Sequence, residues 1–77
     1  PNIRLEISGH TDDVGTRETN IDLSARRAQA VKDYLVAGGV EADRLETRGA
    51  GPDEPLGDNS TDEGRAKNRR TEFKLLK

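Results

Sequence analysis

Ile3, Leu5 and Ile7 alternate with Arg4, Glu6 and Ser8. Period two puts the three aliphatic residues on one face of a strand, and Gly9 is expected to end it. Residues 9–19 (GHTDDVGTRET) are polar, with Gly9 and Gly15 as breakers, and read as a loop. Its length is near the upper end for a connection without structure of its own, which points to function. From about Asn20 to Gly38 the period becomes helical, with Thr19 or Asn20 as N-cap and Gly38-Gly39 as the stop. At 100° per residue, Leu23, Ala30, Val31, Tyr34 and Leu35 form one stripe, opposite Ala25, Gln29, Lys32 and Asp33. Val40 returns to the core. Residues 41–44 (EADR) make a short turn, at most one helical turn, and Leu45–Ala50 is a weakly patterned second strand. Strand, helix, strand predicts a parallel pair with a right-handed crossover. Residues 49–60 (GAGPDEPLGDNS) read as a surface loop, and Thr61 caps a second helix that runs to about Asn68. Thr71, Phe73 and Leu75 then alternate with Glu72, Lys74 and Leu76 in a terminal strand. The fold class expected is α/β (α+β): a two-layer sandwich with helices on one face of a small mixed sheet.

Composition narrows this. Seventy-seven residues make one domain at most. With 30% hydrophobic and 36% charged residues, and Tyr34 and Phe73 as the only aromatics, the core must be thin and aliphatic. An upstream strand or helix, or a second chain, is expected to complete the layer. The absence of Cys excludes disulfides, thiol catalysis and Cys-based zinc sites. The lone His10 cannot build a multi-His metal site. A net charge of -2 weighs against a general grip on nucleic acid. No apolar run approaches the roughly 18 residues of a membrane span. Pro1 leads almost directly into a strand, so no signal peptide is read, and the chain reads as a piece of a larger protein.

One residue breaks the helical pattern. Arg27 lies four after Leu23 and four before Val31, in the middle of the apolar stripe, with Asn20 on the same side. A buried guanidinium needs a carboxylate, from the protein or from a ligand. The preceding loop carries Asp12 and Asp13, at the end of the sheet where ligands bind in strand–helix units. Asp12 and Arg27 together suit a zwitterion, ammonium to Asp12 and carboxylate to Arg27. Equally, Asp12 or Asp22 pairs with Arg27 and merely holds the loop down. His10 with Asp12 and Asp13 is a poor transition-metal set and lacks a nucleophile–base pair, so His10 is expected to brace the loop through backbone hydrogen bonds. The acidic run Asp53, Glu54, Asp58, Asn59, Asp62 and Glu63 does not fit calcium-loop spacing and reads as a solvated loop. Arg65, Lys67, Arg69 and Arg70 lack interleaved aromatics and read as surface ion pairs, with Arg69 the exception.

The run GHTDDVGTRETNIDLSARRAQAVKDYL, followed by GV, RLETRGAG, P, N-S-T and GRAKNRR, resembles the OmpA-like C-terminal domain family. Its signature is approximately GHTD–x–x–G, then N–x–x–LS–x–x–RA–x–x–V, a glycine-terminated helix and a closing NRR, and residues 9–76 follow it. The resemblance implies non-covalent peptidoglycan binding, with no enzymatic activity, cofactor or metal. By position it implies that Asp12 holds the diaminopimelate ammonium and Arg27 the carboxylate. Asn20 and Leu23 would line the pocket, Arg69 would stand near its rim, and Thr11 would support the loop. The implied partner is the diaminopimelate-containing stem peptide, with no nucleic acid and no membrane contact by this segment. The implied location is the periplasm, within an outer-membrane or envelope-anchored protein. The family domain begins with a strand and helix upstream of GHTD, so residues 1–77 read as one partial OmpA-like domain lacking that unit. A homodimer or domain swap would restore the layer, and a dimerising interaction module with no ligand is the alternative function.

Overall fold

The computed structural model describes residues 3–76; Pro1, on which the reading of the chain's start rests, lies outside them. The elements are β1 (Leu5–His10), α1 (Arg17–Ala37), a 3-10 turn (Ala42–Arg44), β2 (Leu45–Gly51), α2 (Asp62–Asn68) and β3 (Arg70–Leu75). The sheet order is β2-β1-β3. β1 and β2 run parallel, Leu5 opposite Leu45 and Gly9 opposite Gly49, while β1 and β3 run antiparallel with Ile7 opposite Phe73. This is the small mixed sheet of the expected α+β fold. α1 lies across β1 and β2, and α2 is tied down mainly by the loop before it.

The two boundaries that change the picture most lie at the carboxyl end of β1. Gly9 does not stop β1; the strand continues through His10. The glycine is there because α1 comes so close that a Cβ would overlap the backbone carbonyl of Ser24. α1 also starts earlier, at Arg17, because Thr16 is the N-cap and accepts the Thr19 N–H at 3.1 Å. Asn20 therefore lies inside the helix and is freed for another task. At the far end, Gly38 caps the helix and Gly39 takes φ +108°, a left-handed conformation that closes the turn into Val40.

The helix face is rotated from the stripe drawn through the bulky residues. Its buried members are Asn20, Ser24 and Ala28, all small, with Val31 and Leu35 half-buried behind them. Ala30 is exposed and Tyr34 is 79% exposed. Close approach selects small side chains at the contact: beside Gly49, a Cβ would come within 2.7 Å of the Cβ and backbone N of Ala25. The buried apolar core is correspondingly small: Ile7, Ala28, Leu45 and Ala50, with Leu5 packed against it. Among the described residues β3 is the least covered strand, and Phe73 is 56% and Leu75 65% exposed.

Gly9→Ala is expected to lower stability by about 3 kcal/mol, because the clash is with backbone that cannot move aside. Gly15→Ala, at φ +90° with open space around it, is expected to cost about 1 kcal/mol. Urea denaturation of both variants measures the difference.

Candidate functional site

The carboxyl end of β1 delivers residues 11–16, and four contacts shape them. Thr11 N–H donates to the Gly51 carbonyl at 2.9 Å, carrying the β1–β2 contact past the last paired residues. Thr11 Oγ1 donates to the Asp12 carbonyl at 2.8 Å, the supporting role expected of it. Asp12 Oδ1 accepts the Val14 N–H at 3.1 Å, which closes an Asx-type turn. Asn20, buried on α1, donates Nδ2 to the Val14 carbonyl at 2.9 Å and, more weakly, to that of Asp12 at 3.4 Å. Asn20 thus holds the loop against the helix.

The other oxygen of Asp12, Oδ2, accepts Arg69 Nη1 at 2.7 Å. The Asp12 side chain is 12% exposed and that of Arg69 48%. The adjoining guanidinium, helped by the Val14 N–H and opposed by burial, holds the Asp12 carboxyl below the usual carboxylate value. Stability from this pair is present above the ordinary carboxylate pKa and is lost as pH falls through the folded-state value.

Arg27 does not match the sequence expectation of a buried guanidinium. It is exposed, and among the described residues it makes no ion pair; the carboxylate proposed as its internal partner is bound to Arg69 instead. The reason is the rotation of the helix face. Azimuthally Arg27 stands on the shoulder of the buried stripe, beside half-buried Leu23 and in line with Asn20 one heptad earlier. The alternative in which Asp22 pairs with Arg27 is also overturned: Asp22 binds Arg26 at 3.0 Å. Asp12 is therefore in contact with both Asn20, through its carbonyl, and Arg69, through its carboxylate, while Leu23 and Arg27 continue along α1.

The acidic and basic runs of the second half are largely paired. Arg17 grips Asp53 with two bonds of 3.0 and 2.6 Å, Arg48 bridges Glu6 and Glu54, and Arg65 binds Asp62. The loop before α2 is thus fastened rather than merely solvated. Its main fastener escaped the sequence reading. Asn68, fully buried, accepts Leu56 and Gly57 N–H on Oδ1 at 2.7 and 2.8 Å, and donates Nδ2 to the Gly57 carbonyl and Asn59 Oδ1. The only signal for it was an amide as the last residue of a short helix. Among the described residues no group of His and carboxylates is placed to hold a metal ion.

His10 differs from expectation in its partner. It lies buried beneath the face of the sheet opposite α1, where Nε2 shares a 2.9 Å hydrogen bond with Ser8 Oγ, not with backbone. Nδ1 is buried without a partner. Burial, with Arg70 and Arg48 nearby, lowers its pKa below the ordinary 6.5, against the pull of Glu72 and Glu54.

This arrangement of strand, pinned loop and helix recurs in solved structures. The peptidoglycan-associated lipoprotein of Burkholderia pseudomallei superposes with a TM-score of 0.94 at 32% identity, over 99% of this chain and 64% of that one. In sequence, the peptidoglycan-binding protein ArfA of Mycobacterium tuberculosis is 53% identical over 73 residues, which is 95% of this chain. Outer membrane porin F of Pseudomonas aeruginosa is 51% identical over 76 residues. The chain spans 22% of the length of each of these two relatives. The model of the OmpA family matches residues 1–69. The chain belongs to the OmpA family. The relatives named here are called after what they bind or where they sit, not after a catalysed reaction. Within this OmpA-family chain, the match takes in the Asp12 loop, all of α1 and Arg69.

Two titrations test the electrostatics. Replacing Arg69 by Ala is expected to raise the Asp12 carboxyl pKa toward the ordinary value, read from its side-chain carbon-13 shift against pH. His10 is expected to titrate below 6.5 by NMR. Because the folded state disfavours its proton, stability is expected to be full above 6.5 and to decline as pH falls through the folded-state value. His10→Gln is expected to flatten that part of the profile.

Proposed function

We propose that this chain is a non-covalent anchor to peptidoglycan, and that the group it takes is the meso-diaminopimelate of the stem peptide. The observation that carries the reading is the guanidinium of Arg27, which among the described residues is committed to no carboxylate and stands in line with the residue that grips the Asp12 loop. Asn20 and Arg27 are separated by about 10 Å along the helix axis, at about 1.5 Å per residue. Helical side chains lean toward the N-terminus, so the long Arg27 stem reaches back toward Asp12. A zwitterionic headgroup set between them gives its ammonium to Asp12 and its carboxylate to the Arg27 fork. Leu23 lies between, offering an apolar surface to the methylene chain of the ligand. Arg69 stands at the rim. These contacts are ion pairs and hydrogen bonds, and no bond is made or broken.

The names of the relatives support the peptidoglycan half of this reading. One is a peptidoglycan-binding protein and one a peptidoglycan-associated lipoprotein. An outer-membrane porin among them supports a periplasmic setting, in which the longer protein is tethered to the wall. A second reading, a dimerising module without a ligand, draws on β3, where Phe73 and Leu75 are exposed and, among the described residues, the outer strand edge is unpaired.

The chain is expected to sediment with purified sacculi. Meso-diaminopimelate is expected to bind in calorimetry, and Arg27→Gln and Asp12→Asn to weaken it about tenfold or more with the fold retained. Lysine, lacking the second carboxylate, is expected to bind about tenfold more weakly. Equal affinity for lysine, or full binding by Arg27→Gln, refutes the assignment. Concentration-dependent dimerisation without any affinity for sacculi would favour the second reading.

A further inference from the structure

We infer that Arg69 is an internal stand-in for the ligand's ammonium, so that binding at Asp12 is an exchange of one cation for another. The inference rests on the diaminopimelate reading above and adds how the site selects its ligand.

Both oxygens of Asp12 are already engaged, Oδ1 by the Val14 N–H at 3.1 Å and Oδ2 by Arg69 Nη1 at 2.7 Å. Little of the side chain remains open to solvent. An ammonium arriving at Oδ2 would sit a few ångströms from the guanidinium, and two like charges at that distance repel strongly where water is scarce. One of them must leave.

Arg69 is built to be the one that leaves. Among the described residues its guanidinium makes a single bond to a single oxygen, and it is half exposed. The other arginines that pin loops are held more firmly. Arg17 takes Asp53 with two prongs. Arg48 spans two carboxylates. Arg70, 15% exposed, binds Glu72 and the carbonyls of Glu54 and Asn68. The backbone of Arg69 stays fixed, because its N–H donates to the Arg65 carbonyl at the end of α2. The side chain can therefore swing while its anchor holds.

The exchange has a consequence for selectivity. A plain amine that takes Asp12 leaves the Arg69 guanidinium at the mouth without a counter-ion. A zwitterion brings its own carboxylate for Arg27, so the site keeps one guanidinium without a counter-ion, as before binding, where a plain amine leaves two. Arg69 thus discriminates against simple amines, and it is a selectivity residue rather than only a rim contact.

The test compares the intact chain with Arg69→Gln and Arg69→Lys, using meso-diaminopimelate and its diamide, which keeps both ammonium groups and masks both carboxylates. The intact chain is expected to bind the diamide poorly. Arg69→Gln is expected to bind the diamide about fivefold more tightly than the intact chain, the scale of one exposed ion pair removed from competition. Arg69→Lys, which keeps a competing cation, is expected to show no such gain. Unchanged or weaker diamide binding in Arg69→Gln overturns the exchange. A second measurement needs no variant: saturating the intact chain with diaminopimelate is expected to move the Arg69 guanidinium resonances away from their Asp12-bound positions. Resonances that stay put overturn the exchange, whatever the variants do. If diaminopimelate binds in an Asp12-dependent way while the diamide result goes against us, only the exchange falls. If it binds neither the intact chain nor Arg69→Gln, the underlying ligand assignment falls and the exchange with it.

Discussion

Helix α1 lies on the sheet with backbone almost against backbone, and the Asp12 loop depends on that contact. Gly9 and Gly49 remove side chains where the helix crosses β1 and β2. Ser24 fills the gap with hydrogen bonds in place of bulk: its hydroxyl accepts the Gly51 N–H at 2.9 Å and donates to the Ile21 carbonyl at 2.8 Å. One turn earlier the same face presents Asn20, which is why its amide meets the loop carbonyls and not solvent. A helix standing further off, on leucines, would leave Asn20 short of Val14 and the Asp12 turn unsupported.

The apolar core is too small to hold the loops, and polar groups do so instead. Asn20 and Asn68 have parallel roles. Each is a buried amide on a helix, turned toward an irregular segment whose backbone groups would otherwise lack partners. Such contacts are directional, so they fix position as well as adding stability. That suits the proposed site, which needs a carboxylate and a guanidinium at a set separation.

The sequence carried the elements well and the helix face poorly. Strands with strict alternation and helices with capping threonines, such as Thr61, could be located because local patterns determine them. The rotation of α1 could not, since reading a stripe from large apolar residues assumes that bulk marks the contact. Here the contact is made by Asn20, Ser24 and Ala28, and Tyr34 stands outside it. The stripe of large apolar residues predicts a buried Arg27, and the structure exposes it. Its place beside Leu23 and in line with Asn20 is where the ligand proposed for Asp12 would extend. The Asp12–Arg69 pair joins residues 57 positions apart. Local periodicity carries no information about such a pairing, although Arg69 had been placed near the site by family resemblance.

Three neighbours at the start of β3 each hold a different region. Asn68 secures the loop ahead of α2, Arg69 reaches the turn after β1, and Arg70 braces the underside of the sheet around His10. Consecutive residues at a helix-to-strand junction point in different directions, and here every direction is in use. The junction therefore accepts changes of residue type one at a time, each with a local effect, but not a change of length. Insertion or deletion of one residue would turn all three side chains away from their partners together and loosen three regions at once.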